Sequence, residues 1–192
     1  MKEVVALSVS DQRIGEFIVK MNQAFFARAT EKMPVSEIKV QDLEKNQELF
    51  ALAVDGKLVS GLAFSFEEDG VYIKHVWCDV NEQGKGYASF LMDEIIKIAR
   101  ERDYLELKLG VCFMYKPAVN LYKRKGFKIY AYRTHTPYTY CHYGMVKRLK
   151  NGGIFFELKR MVCRLFQKIK HFLLFKKDGT PKLLYKIFSK NK

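Results

Sequence analysis

The chain has 192 residues, 48% of them hydrophobic, with 34 Lys+Arg against 21 Asp+Glu and a formal net charge of +13. That length fits one ordinary domain with an appendage, and the apolar content excludes global disorder. No apolar run of about 18 residues occurs, so a spanning helix is not expected. Residues 1–10 lack the charged, apolar and cleavage regions of a secretory signal. The four cysteines (Cys78, Cys112, Cys141, Cys163) form no C-x-x-C pair and read as free thiols of a cytosolic protein.

The charge divides the chain. Residues 150–192 hold 12 basic and two acidic residues, a net of +10, which leaves +3 for residues 1–149. Asn151-Gly152-Gly153 marks the boundary as a turn or linker. The expected units are therefore residues 1–150 and a basic extension over residues 151–192.

In chain order, Val4–Ser8 reads as a strand. Asp11 is a candidate N-cap for a helix carrying Ile14, Phe17, Ile18, Met21 and Phe25 at helical spacing. Ser36–Lys45, after Pro34, predicts a short second helix. Leu49–Val54 and Leu58–Phe66 predict two strands joined at the hairpin turn Asp55-Gly56. Val71–Val80 predicts a third strand, rich in β-branched and aromatic residues. A helix with apolar Phe90, Leu91, Ile95, Ile96 and Ile98 follows, then an alternating strand Leu105–Val111. Pro117 opens a short helix that Gly126 ends. Phe127–Tyr132 and Tyr140–Leu149 predict a terminal antiparallel pair. The order β-α-α-β-β-β-α-β-α-β-β implies a mixed α/β sheet.

The turn Gln83-Gly84-Lys85-Gly86-Tyr87-Ala88 sits between a strand and a helix. Glycines there let backbone N–H groups approach an anion, and the helix dipole favours it. A tight turn without ligand is the competing reading. The spacing matches neither G-x-G-x-x-G nor the Walker loop.

Gln83-x-x-Gly86-x-Ala88 resembles the Q/R-x-x-G-x-G/A pattern of the GNAT superfamily of N-acetyltransferases. A second block, Ala118-x-x-Leu121-Tyr122-x-x-x-Gly126-Phe127, is similar to that family's A-x-x-L-Y-x-x-x-G-F segment. The resemblance covers roughly Leu49 to Leu149. It implies a mixed, mostly antiparallel sheet flanked by helices, with acetyl-CoA as co-substrate and no metal. It places pantetheine against the backbone of Val76, Cys78 and Val80, where the strand splays from Leu105–Val111. It places the pyrophosphate on the amides of Gln83, Gly84, Lys85, Gly86, Tyr87 and Ala88. Tyr122 becomes the general acid for the departing thiolate, a role compatible with a phenol pKa of about 10. The implied reaction is direct attack of a primary amine, on a small molecule or a protein, on the thioester. A non-catalytic acyl-CoA-binding or membrane-surface protein of the same fold is the alternative.

Two positions depart from the family pattern. Tyr115 stands where family members often carry Asn, and the strand Val71–Val80 lacks the usual Glu. His75 is the candidate base, since an unperturbed imidazole titrates near pH 6.5. A structural histidine and a relaying water compete with it. Strand parity places His75 opposite Val76 and Cys78 unless a bulge intervenes. Cys78 reads as a buried thiol, and Trp77 as a packing residue. The cluster Tyr130, Tyr132, His135, Tyr138, Tyr140, His142 and Tyr143 reads as strand composition or as an aromatic acceptor pocket. No Cys/His spacing suggests a metal site.

In the extension, Ile154, Leu158, Met161, Val162, Leu165, Ile169, Phe172 and Leu173 fall within about 120° of a helical wheel. Lys159, Arg160, Arg164, Lys168 and Lys170 lie outside it. Thr180-Pro181 reads as the start of a second piece through Phe188. Three readings of this extension stand: docking on the domain or a second subunit, an in-plane helix at an anionic inner membrane face, and nucleic-acid binding through the basic face. The large apolar residues argue against the last.

Overall fold

The computed structural model describes residues 1–30, 35–43, 47–67, 70–134, 141–150 and, beyond these, 153–154, 157–158, 161–162, 165–166, 169 and 172–173. The expected residues Pro34, His135, Tyr138 and Tyr140, and the piece from Thr180 to Phe188, lie outside that set.

The elements are β1 (Lys2–Leu7), α1 (Ile14–Phe26), β2 (Gln47–Val54), β3 (Lys57–Glu67), β4 (Gly70–Cys78), α2 (Tyr87–Glu101), β5 (Glu106–Cys112), α3 (Lys116–Arg124), β6 (Lys128–Thr134) and β7 (Cys141–Arg148). This is a mixed α/β fold of seven strands, and the pairs β1–β2, β2–β3, β3–β4 and β6–β7 are all antiparallel. The chain divides into two compact units, Met1–Leu107 and Lys108–Lys192. The predicted helix over Ser36–Lys45 is absent from its described part. Only the 3-10 turn Val40–Asp42 forms there, closed by the Lys39 N–H donating to Asp42 Oδ2 at 2.8 Å. Buried Asn22 of α1 holds the preceding loop. Its side chain donates to Ile38 O at 2.7 Å and accepts from Ile38 N–H at 3.0 Å, so an amide stands in for a strand partner.

In the first unit β1, β2, β3 and β4 follow one another as a meander. The Asp55-Gly56 turn forms as the sequence predicts. Both residues take positive φ, 49° and 80°, and Val54 pairs with Lys57 across a two-residue loop. One face of the meander packs on α1 through a core that includes Phe17, Met21, Phe25, Leu49, Ala63 and Trp77. α2 turns Leu91, Met92, Ile95, Ile96 and Ala99 inward, at helical spacing, while Phe90 is exposed. On the sheet's other face Phe64 meets Phe50 and Phe66 edge-on, and Phe66 stacks on Tyr104 just past α2.

β4 is irregular. Gly61 pairs with Trp77 and Ala63 with Lys74, so two steps along β3 face three along β4. The extra residue is a β-bulge, and His75 accommodates it at φ 50°, a conformation unusual for a residue with a Cβ. In a regular strand Ile73 and Trp77 would share a face. Here Trp77 belongs to the α1 core, whereas Ile73 pairs with Phe64 on the opposite side.

Trp77 fits because its cross-strand partner has no side chain. Its ring meets Phe17 edge-on, with centroids 5.3 Å apart. A Cβ on Gly61 would lie 2.5 Å from Phe17 Cε2 and from Trp77 Nε1. Gly61→Ala should therefore destabilise the protein by about 1–3 kcal/mol through overpacking. Gly15→Ala, where a Cβ on α1 meets nothing within 4 Å, should be neutral or stabilising. Urea unfolding of the two variants measures the contrast.

Candidate active site

The predicted turn forms directly after β4. Val80–Glu82 makes one turn of 3-10 helix, so Val80 lies off the strand and is exposed, and the predicted strand Val71–Val80 ends at Cys78. Gly84 and Gly86 then adopt φ of 82° and 83°, and Gly86 is the N-cap of α2. A Cβ at either would meet nothing within 4 Å, so backbone conformation, not crowding, calls for glycine. The space over the turn is open.

The N-cap of α2, Gly86, has no side chain to cap it, and the first turn of the helix holds no acidic residue. The first amides of a helix lack intrahelical partners and carry positive partial charge. Successive N–H groups around left-handed glycines also form an anion-binding concavity. Gln83, Gly84, Lys85 and Gly86 are exposed, and Tyr87 and Ala88 half-buried. The Lys85 ammonium pairs with Glu82 at 2.9 Å, and that hydrogen bond raises its pKa.

Asp79 fixes where this turn begins. Its N–H donates to Val59 O at 2.9 Å, Oδ1 accepts from Asn81 N–H at 3.0 Å, and Oδ2 accepts from Lys20 Nζ of α1 at 2.5 Å. One residue thus ties β3, α1 and the turn together. The Lys20 bond is the largest influence holding its carboxyl below the usual range, and the Asn81 N–H adds to it. Lys20, Gln23, Ala24, Asp79, Val80 and Asn81 line a cleft of about 350 Å³. Sequence reasoning missed Lys20 and the part Asp79 plays at the turn. The Asp-x-Asn step into the turn was the available local signal; the Lys20 pairing has none.

On β4, His75 is half-buried with its ring 6.5 Å from that of Phe25. It faces α1, as Trp77 does. Cys78 lies on the opposite face, hydrogen-bonded with Ser60 and with the Ala88 backbone. The parity expected between His75 and Cys78 therefore holds, and the bulge alters the parity only before His75. Burial, then the Asp79 and Glu82 carboxylates, push the Cys78 thiol up to about 11. It is neutral at physiological pH, which fits a packing thiol and not a nucleophile.

In the second unit, the second motif block forms the end of α3. The Phe127 N–H donates to Tyr122 O at 2.9 Å and the Gly126 N–H to Lys123 O at 2.9 Å, with Gly126 at φ 84°. This is a Schellman stop, completed by contact of the Tyr122 and Phe127 rings, whose centroids are 6.0 Å apart. Lys147 Nζ donates to Lys125 O at 2.8 Å at the same end. Tyr122 is buried. Tyr115, the departure from the family pattern, is the N-cap of α3 and supplies no side-chain cap. Asn is among the favoured residues there, so the substitution forgoes a cap. The aromatic cluster is present in its described part, where Tyr143 meets Phe113 and Tyr132 at 6.2 and 5.7 Å. Among the described residues no group of His, Cys, Asp and Glu side chains is placed to hold a metal.

Comparison with known proteins agrees with these elements. The profile of the Acetyltransferase (GNAT) family matches residues 16–127, and the chain belongs to that family. The ribosomal-protein-S18-alanine N-acetyltransferase of Escherichia coli superimposes with a TM-score of 0.66 at 19% identity, over 80% of this chain and 97% of its own. An N-acetyltransferase from Staphylococcus aureus Mu50 gives 0.64 at 15%, over 78% and 99%. YncA of Salmonella typhimurium, solved with its cofactor acetyl-CoA, gives 0.63 at 14%, over 80% and 96%. At these identities the likeness establishes the fold. None of the curated proteins matches the sequence.

Two outcomes follow from the charges around the turn. Because the Asp79 pKa is depressed, its pairing stabilises the fold above the ordinary carboxylate value of about 3.9 and ceases to do so as pH falls through the lowered value. Lys20→Met should lower the melting temperature near neutral pH, with the deficit shrinking in strong acid; a pH series of thermal melts measures it. Cys78 should resist iodoacetamide near pH 8, where a thiol of pKa about 11 is only about 0.1% ionised, and label increasingly towards pH 11; mass spectrometry reads the site.

Proposed function

We propose that the protein transfers the acetyl group of acetyl-CoA to a primary amine. Family membership supports acyl transfer, and the uncapped α2 N-terminus behind two left-handed glycines carries the cofactor assignment. In this reading the pyrophosphate rests on the amides from Gln83 to Ala88, and the pantetheine arm pairs with the backbone of Val76 and Cys78. Val80, off the strand, contributes to the approach of the turn instead.

The amine nitrogen attacks the thioester carbonyl. An N–C bond forms, the C–S bond breaks, and the ammonium proton must leave before attack. The protein's task is to align the two reactants and stabilise the oxyanion. The bulge interrupts the β3–β4 ladder, and we assign the oxyanion contact to the Val76 N–H there. Tyr122 is assigned the proton that the leaving thiolate takes up. His75 is assigned as base, directly or through water. Its support is its strained backbone, since such outliers cluster at functional sites. The acceptor is a small-molecule or protein amine. A binding protein without turnover is the other reading.

Saturating acetyl-CoA should raise the melting temperature of the purified protein. Tyr122→Phe keeps the ring contact with Phe127, so the fold and the thermal shift should persist while turnover drops about 10²–10⁴-fold. Turnover equal to wild type would remove Tyr122 as the acid. His75→Asn preserves tolerance of positive φ and removes the titrating ring. It should abolish the acid limb of the kcat/KM profile in a CoA-release assay; an unchanged profile would exclude His75 as base. An amine screen without CoA release would favour the binding reading.

A further inference from the structure

The described residues between Ile154 and Leu173 are all helical, and their large apolar side chains are exposed. Ile154, Leu158, Met161, Val162, Leu165, Phe166, Ile169, Phe172 and Leu173 are 49–75% exposed. They recur at helical spacing, so on a helix they share one face. A stripe of this size on a single chain marks an interaction surface.

The charge around it selects the occupant. On a helical wheel of the sequence, at about 100° per residue, Lys159 and Lys170 fall beside one edge of the stripe and Lys168 and Arg164 beside the other, with Arg160 opposite. The helix's own acidic residue, Glu157, is paired with Arg148 of β7 and so is directed at the protein. On the wheel every charged residue beside the stripe other than Glu157 is basic. Two copies packing stripe to stripe would set lysine and arginine against their like, whereas paired helices normally place opposite charges at those flanks. A nucleic acid would use the basic face and leave the apolar stripe in water. An anionic lipid surface suits both: acyl chains take the apolar stripe, and headgroup phosphates take the basic residues that the sequence places beside it. Among the described residues no helix is long and apolar enough to cross a membrane.

We propose that the segment 154–173, helical at its described residues, is an in-plane anchor that holds the protein on anionic membranes. This does not depend on the acyl-transfer assignment. The test is co-sedimentation of the full chain with phosphatidylcholine vesicles, with and without about a third phosphatidylglycerol. Binding is expected on the anionic vesicles, at least about tenfold weaker on the neutral ones, and weakened by salt. Met161→Glu with Leu165→Glu should lower binding at least about tenfold, and Lys159→Gln, Lys168→Gln and Lys170→Gln about fivefold per charge removed. The substituted side chains lie on the extension, so far-UV melting should stay that of the wild type and confirm folded variants. Failure of the folded wild type to sediment at low salt would overturn the proposal. So would binding indifferent to both sets of substitutions. A stripe-dependent dimer, or duplex DNA binding, in a protein that ignores vesicles would overturn it too. The acetyl-CoA melting shift of the stripe variant reads the catalytic assignment separately.

Discussion

β4 carries one residue more than the stretch of β3 it pairs with, and the surplus is absorbed at His75 with φ at 50°. The consequence is a change of face partway along the strand. Val71 and Ile73 pair with Phe66 and Phe64 on one side, and Trp77 then reaches the α1 core on the other. In a regular strand Val71, Ile73 and Trp77 would share one face, and the bulge is what divides them between two. Gly61 is part of the same constraint, because Trp77 and Phe17 occupy the volume its side chain would need. Cys78 and Asp79 leave the bulged strand in the positions that start the glycine turn. A local backbone irregularity thus sets which face of the sheet Trp77 reaches just before the glycine turn.

The two motif blocks carry structural as well as chemical content. Gly84 and Gly86 are left-handed, and Gly126 is the left-handed residue of a helix stop. Tyr122 and Phe127 supply the apolar contact that accompanies such a stop. A family pattern built on these residues would therefore persist for folding reasons alone. The hydroxyl of Tyr122 is the part that packing with Phe127 does not require. The open, uncapped start of α2 is likewise more than a turn needs.

The charge of the chain has its own partition. The acetyltransferase region is close to balanced, while residues 150–192 hold a net of +10. In the described part of that extension the apolar residues face outward, with Glu157 turned back onto Arg148. Basicity of sequence and exposed apolar surface coincide in one segment of the chain.

The sequence by itself determined the features that depend on neighbours in the chain. The Asp55-Gly56 hairpin, the glycine turn, the stop at Gly126 and the apolar stripe of the extension were all legible. Each is set by the sign of φ or by helical spacing over a few residues. The tertiary structure decided the rest. The bulge exists only relative to the register of β3, which no local pattern in β4 announces. Lys20 and Asp79 are 59 positions apart, and Asn22 replaces a strand partner for Ile38 at a distance of 16. Ser36–Lys45 has residues compatible with a helix, yet its described part forms only a 3-10 turn, its loop held by hydrogen bonds from α1. Propensity is a small energy per residue, and a buried hydrogen bond formed across the fold overrides it.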